Sequence, residues 1–208
     1  MIYAVEHLQR SGGHAIIFWI IEHLNNYTFQ NNLNMQGAPT DTIPKGNKNI
    51  IYSLENKTKD TSSKTPDKRI LILRDPLNWT ASIIKRRGNM SFYKNKKLIK
   101  DNECLEFYKD YYNKYKSKEY YGINYNKWFS SSEYRREIEA DFGFDKNDKS
   151  MTKVLKYGSG SSFDGNKFDG KAQNMKTLER WQKFKDHPII LKIQTDEEFK
   201  EILKEFNL

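Results

Sequence analysis

The chain is 208 residues long and carries a formal net charge of +9, with 37% hydrophobic residues, 30% charged residues and one cysteine. That length suits a single domain over residues 1–208, and a lone Cys104 excludes an internal disulfide framework and any cysteine-based zinc site. No cationic leader precedes an apolar core and no apolar run is long enough to cross a bilayer, so a soluble, cytoplasmic protein without a membrane span is expected.

The positive balance implies an anionic partner without choosing between nucleic acid, an acidic membrane surface and a small polyanion. Of the 36 basic residues 28 are Lys, in scattered runs such as Lys94-Asn95-Lys96-Lys97 that read as solvated faces. The eight Arg are therefore the more informative cations.

Residues 2–8 are apolar enough for a buried strand, and residues 14–26 for a buried helix. Between them lies Gln9-Arg10-Ser11-Gly12-Gly13-His14-Ala15. A Gly-Gly turn entering a helix lets backbone N–H groups converge where the helix dipole is positive, which is an anion site. Residues 27–48 are rich in Asn, Gly, Pro and Thr and read as a long loop. A second strand is expected over 49–54, ending at Glu55, and a polar loop over 57–68 leads to the continuous apolar run Arg69-Ile70-Leu71-Ile72-Leu73.

That third strand ends in Arg74-Asp75-Pro76, where Asp75 suits the N-cap and Pro76 the first position of a helix reaching about Arg87. Helical spacing of Leu105, Tyr108, Tyr112 and Tyr115 predicts a helix over 103–120 with a packed tyrosine face. A strand is expected over 122–125, a helix over 133–140, a turn over 143–149, a Gly/Ser loop over 157–163, a helix over 175–185 and an amphipathic helix over 196–206. This alternation predicts an α/β fold, three layers with a mostly parallel central sheet, and ligands beyond the carboxyl ends of the strands.

Two motifs in order give the chain a resemblance to the sulfotransferases that use 3′-phosphoadenosine 5′-phosphosulfate (PAPS), which have a P-loop NTPase-like fold. The first is Arg10-Ser11-Gly12-Gly13-His14 between strand and helix; the second is Arg74-Asp75-Pro76 at a strand end with Ser82 eight residues after the Arg. Ser161-Ser162-Phe163 is a weaker echo of the family's adenine-stacking segment, and Gly170-Lys171, followed by Arg180-Trp181, of its late phosphate loop. The family's usual two Thr and a Trp after the first Gly are replaced here by Gly13, His14 and Ala15.

The resemblance implies sulfuryl transfer from PAPS to a hydroxyl or amine on a small-molecule or glycan acceptor, leaving adenosine 3′,5′-bisphosphate (PAP), without nucleic acid or metal. It places Arg10, Ser11, Gly12, Gly13, His14 and Ala15 around the 5′-phosphosulfate, and Arg74, Ser82 and Lys171 around the 3′-phosphate. Ser162, Phe163 and Tyr125 would contact adenine, and Arg10, His14 and Glu55 would act in catalysis, with Glu55 as base. Taken from the residues alone, Glu55 is nearly as well read as a carboxylate paired with Lys57, His14 as a structural residue of the first turn, and Lys171 as a solvated loop lysine. His7, His23 and His187 lack partners at metal-ligand spacing.

Two alternatives stand beside this reading. Gly165 to Lys171 fits GxxxxGK, although Ala172 replaces the Ser or Thr that would hold magnesium, so an ATP-dependent P-loop kinase is the competing enzyme. The Lys and Tyr of residues 93–129 suit a non-catalytic module for RNA or another polyanion, with strongly salt-dependent binding.

Overall fold

The computed structural model describes residues 1–33, 37–57, 62–94, 97–145, 149–154, 161 and 163–208. Six strands form the central sheet: β1 (Ile2–His7), β2 (Tyr27–Asn31), β3 (Asp41–Lys45), β4 (Asn49–Glu55), β5 (Lys68–Leu73) and β8 (Tyr121–Asn124), in the order β3-β2-β4-β1-β5-β8. All neighbours are parallel except the edge strand β3, which runs antiparallel to β2. A separate two-stranded hairpin joins β6 (Ser91–Lys94) to β7 (Lys97–Lys100).

The helices are α1 (Gly13–Glu22), α2 (Pro76–Arg87), α3 (Asp101–Lys116), α4 (Tyr125–Ser130), α5 (Ser132–Phe142), α6 (Pro188–Thr195) and α7 (Glu197–Glu205). Strand periodicity sorts them into two layers, because successive side chains of β5 point to opposite faces. Ile70 and Ile72 pack with α1, α4 and α5, whereas Leu71 and Leu73 pack with α2, α3, α6 and α7. All four are fully buried, each worth about 1.5–3 kcal/mol of transfer free energy. The fold is thus α/β/α around a mostly parallel sheet, as the alternation of elements predicts.

Several expectations need correction. Residues 27–48 are not a loop throughout: Tyr27 and Phe29 alternate inward on β2, and β3 follows as an exposed edge. Pro44 suits that position, since an edge strand has no second neighbour to receive its missing N–H. The hairpin β6-β7 and the helix α6 arise in stretches assigned no element, and the helix expected over 175–185 is a 3-10 turn, Arg180–Phe184. The first helix ends at Glu22 rather than residue 26, and α3 runs Asp101–Lys116. Tyr125 opens α4 rather than closing β8, because Asn124 accepts a hydrogen bond from the Lys127 N–H and so caps a helix there. The expected packed stripe does form on α3: Leu105 and Tyr108 are buried and Tyr112 and Tyr115 pack against the same core.

Parallel pairing aligns the strand ends that matter. His7 of β1 stands opposite Glu55 of β4 and Ile72 of β5, and Leu73 stands opposite Asn124 of β8. Gln9-Arg10, Glu55, Arg74 and Tyr125 therefore leave the sheet along one rim. Among the described residues no helix is long and apolar enough to cross a membrane.

Candidate active site

A cavity of about 360 Å³ opens at this rim. Its walls include Arg10, Gly12, Gly13, His14 and Ala15 from the first turn and Glu55, Arg74, Ser82 and Tyr125 from the other strand ends. These residues are far apart in sequence and are brought together by strand register and by the helices that follow β1 and β5.

The first turn is built for close approach. Gly12 has φ 82°, and a Cβ there would lie 2.2 Å from the Tyr125 ring; a Cβ on Gly13 would lie 2.4 Å from the His7 ring. Both glycines are required by contact, the first also by its left-handed backbone. Arg10 itself has φ 65°, an uncommon conformation for a residue with a side chain. The Trp79 indole N–H donates to the Gln9 carbonyl at 2.9 Å, tying the turn to α2. The first N–H groups of a helix have no intrahelical partner, so α1 presents donors here. Ser11 is 1% exposed, and its hydroxyl has no hydrogen-bond partner among the described residues.

The second cluster lies across Tyr125. Arg74 is buried; it donates from Nη1 to Ser82 Oγ at 3.2 Å and from Nη2 to the Thr177 carbonyl, while Nε has no partner among the described residues. Its guanidinium sits 5.1 Å from the Tyr125 ring centroid. The eight-residue spacing puts Arg74 at the strand tip and Ser82 two turns into α2, facing back towards it. Asp75 caps α2 by accepting from the Asn78 N–H at 2.7 Å. Asn78 Nδ2 donates to the Leu178 carbonyl at 2.8 Å and Asn78 Oδ1 accepts from the Trp181 N–H at 3.2 Å, which pins residues 177–181 over the cavity. Thr177 Oγ1 is likewise buried and without a partner among the described residues.

A third guanidinium completes the wall. Arg180, from the 3-10 turn, donates to Ser161 Oγ and Asp164 Oδ2, each at 2.7 Å. Burial lowers the proton affinity of Arg10 and Arg74, and each is lowered further by the positive charge of Arg180. Lys153 adds another cation to the lining. A cavity where cations repel one another and buried donors lack acceptors is complementary to an anion.

On the opposite wall Glu55 is held above the ordinary carboxylate range by burial, opposed in decreasing order by His14, Arg10, Lys57 and Arg87. No ion pair within 4 Å joins Glu55 to Lys57 among the described residues. His14 Nε2 donates to Asn31 Oδ1 at 3.0 Å, and Asn31 also accepts from Ser53 Oγ at 3.1 Å. His7, which has no partner at metal-ligand spacing in the sequence, is fully buried beside them. Its Nδ1–H donates to the Leu8 carbonyl at 3.2 Å, and burial pushes its pKa down to about 3, so it is a neutral imidazole. Its Nε2 has no partner among the described residues. Ligand atoms of His7, His14 and Glu55 all lie within 4.8 Å of one another, a set that could close on a cation despite its irregular sequence spacing.

Not every expected residue reaches the cavity: Ser11, between Arg10 and Gly12, is buried and is not part of the lining. Lys171 is exposed in a turn and is not part of the lining; its N–H bonds to the Phe168 carbonyl at 2.9 Å. Phe163 is also outside the lining; it stands against Phe184 and beneath Arg180, whose guanidinium lies 4.8 Å from its ring centroid. Ser162 and residues 157–160 lie outside the described residues. Asn31, Lys153 and Thr177 line the cavity without a sequence signal, since each looks like ordinary loop composition.

No protein-family model matches the chain, and a search of curated proteins finds no match. Among solved structures, the chain is similar to the crystal structure of mouse sulfotransferase SULT7A1 complexed with PAP, at 15% identity and a TM-score of 0.47, over 99% of this chain and 87% of that one.

Proposed function

We propose that this chain is a PAPS-dependent sulfotransferase acting on a hydroxyl-bearing acceptor. The observation that carries the proposal is one cavity lined by two donor-rich clusters. One cluster is Arg10 with the amino end of α1; the other is Arg74, Ser82 and Thr177. Buried, partnerless Arg74 Nε and Thr177 Oγ1 are the acceptor-seeking atoms of the lining that a phosphate would satisfy.

PAPS supplies a sulfuryl group on a phosphate leaving group. The residues divide the work by position. The Gly12-Gly13 turn holds the 5′-phosphate, while Arg10 offsets charge growing on the bridging oxygen. Arg74 and Ser82 hold the 3′-phosphate, the group that separates this nucleotide from ATP. Glu55, made more basic by burial, takes the acceptor proton as the acceptor oxygen forms its bond to sulfur. The old S–O bond breaks with its electron pair staying on PAP. Asn31 orients His14, which faces the same centre.

Titration calorimetry with PAP and with ATP, each with and without magnesium, tests this reading. PAP is expected to bind more tightly by about tenfold or more, unaffected by magnesium or by EDTA. Preference for ATP with magnesium would contradict it and favour a kinase.

A further inference from the structure

Beside the main cavity lies a second cleft of about 470 Å³, lined by Gln9, Arg10, Ile83, Arg86 and Arg87. It shares Gln9 and Arg10 with the first, so the two meet at the residue placed beside the transferred group. Arg86 and Arg87 belong to the last turn of α2 and are exposed. Among the described residues neither has a carboxylate within 4 Å.

A helix C-terminus favours cations by itself, and Lys85 fills that role in the same turn. The dipole does not account for where the arginines converge. Arg87 Nη2 donates to Gln9 Oε1 at 3.4 Å, and its guanidinium lies 5.7 Å from the ring centroid of Tyr93, a residue that is 56% exposed. Arg87 is thus drawn to the rim of the first turn. Arg86 lies close enough to Arg10 for the two charges to repel. Guanidiniums gathered on one cleft without acids form a site for carboxylate or sulfate, which they bind in a fork.

We infer that this cleft is the acceptor subsite and that the acceptor is an acidic glycan, with a carboxylate or sulfate ester on Arg86 and Arg87 and a hydroxyl presented to Glu55. The assignment rests on the sulfotransferase reading. A glycan fits better than a tyrosine-bearing peptide because Ile83 is the one aliphatic side chain of the lining, leaving no apolar slot for a phenol. The exposed Tyr93, next to Arg87 and outside the cleft lining, offers an aromatic surface on which a sugar ring can rest. Arg87 and Arg10, which share the cleft, both act electrostatically on Glu55, so an acceptor held there lies near that carboxylate.

The test is calorimetry on the full chain saturated with PAP, titrated with a chondroitin tetrasaccharide and with its carboxyl-reduced, uncharged counterpart. The charged sugar is expected to bind about tenfold more tightly or better, and Arg86→Ala/Arg87→Ala to abolish that preference with PAP affinity unchanged. Lys200→Ala/Lys204→Ala, on the exposed face of α7 that lines neither cavity, is expected to keep it. Equal binding of the two sugars, or a preference that survives the arginine variant, overturns the subsite. Tighter binding of an acidic tyrosine peptide through the same arginines overturns the glycan assignment. Absence of PAP binding overturns the sulfotransferase reading instead, and the acceptor role falls with it.

Discussion

Glu55 is where chemistry and stability pull in opposite directions. Burial raises its pKa above the usual carboxylate value, so the folded state holds a proton more readily than the unfolded chain. The stability it contributes is therefore full below the unfolded pKa and is lost as pH rises through the folded one. Glu55→Gln should accordingly raise the unfolding temperature at neutral pH, and the gain should vanish in acid. The same substitution should lower PAP release from PAPS in the presence of acceptor by about 10²–10⁴-fold while PAP affinity is retained. If the parent chain carries the proposed activity, turnover should fall as pH drops through the Glu55 pKa, because the base becomes protonated. His7 has the opposite sign. With its pKa depressed to about 3, its contribution is present above 6.5 and is lost as pH falls from 6.5 towards 3. Gln in its place should flatten that part of a stability-against-pH curve measured by thermal melts.

The elements act as clamps on the two anion clusters. Gly12→Ala would force a Cβ into the Tyr125 ring at a left-handed position, costing about 1–3 kcal/mol and loosening the link between the first turn and Arg74. Thermal unfolding and PAP titration should both register it. Asn78→Ala should cost about 1–3 kcal/mol by stripping partners from Leu178 O and the Trp181 N–H, and should speed hydrogen exchange in residues 177–184 before the rest of the molecule. Much of this was legible in the sequence. Gly-Gly between strand and helix, and Asp75-Pro76 before a helix with Ser82 two turns on, are local signals and both motifs line one cavity. The less legible parts depend on long-range packing. Asn31 sits on a strand hidden by Asn and Thr composition, and Thr177 and Arg180 are positioned by Asn78, about 100 residues earlier. Phe163 carries an aromatic signal whose role in the fold is to pack against Arg180 and Phe184.

At the scale of the molecule, parallel register does the assembling. Five parallel strands end at one rim, and five of the eight arginines, Arg10, Arg74, Arg86, Arg87 and Arg180, gather there around two adjoining cavities. The central claim is that Arg74 and Ser82 read a 3′-phosphate while the Gly12-Gly13 turn reads the 5′ end. The most direct measurement is a binding cycle: PAP and 5′-AMP, which lacks the 3′-phosphate, titrated against the parent chain and Arg74→Ala. The parent should prefer PAP by about 1.5–3 kcal/mol, and the variant should bind both nucleotides alike at close to the parent's affinity for 5′-AMP. An undiminished preference for PAP in Arg74→Ala, or none in the parent, would contradict the account.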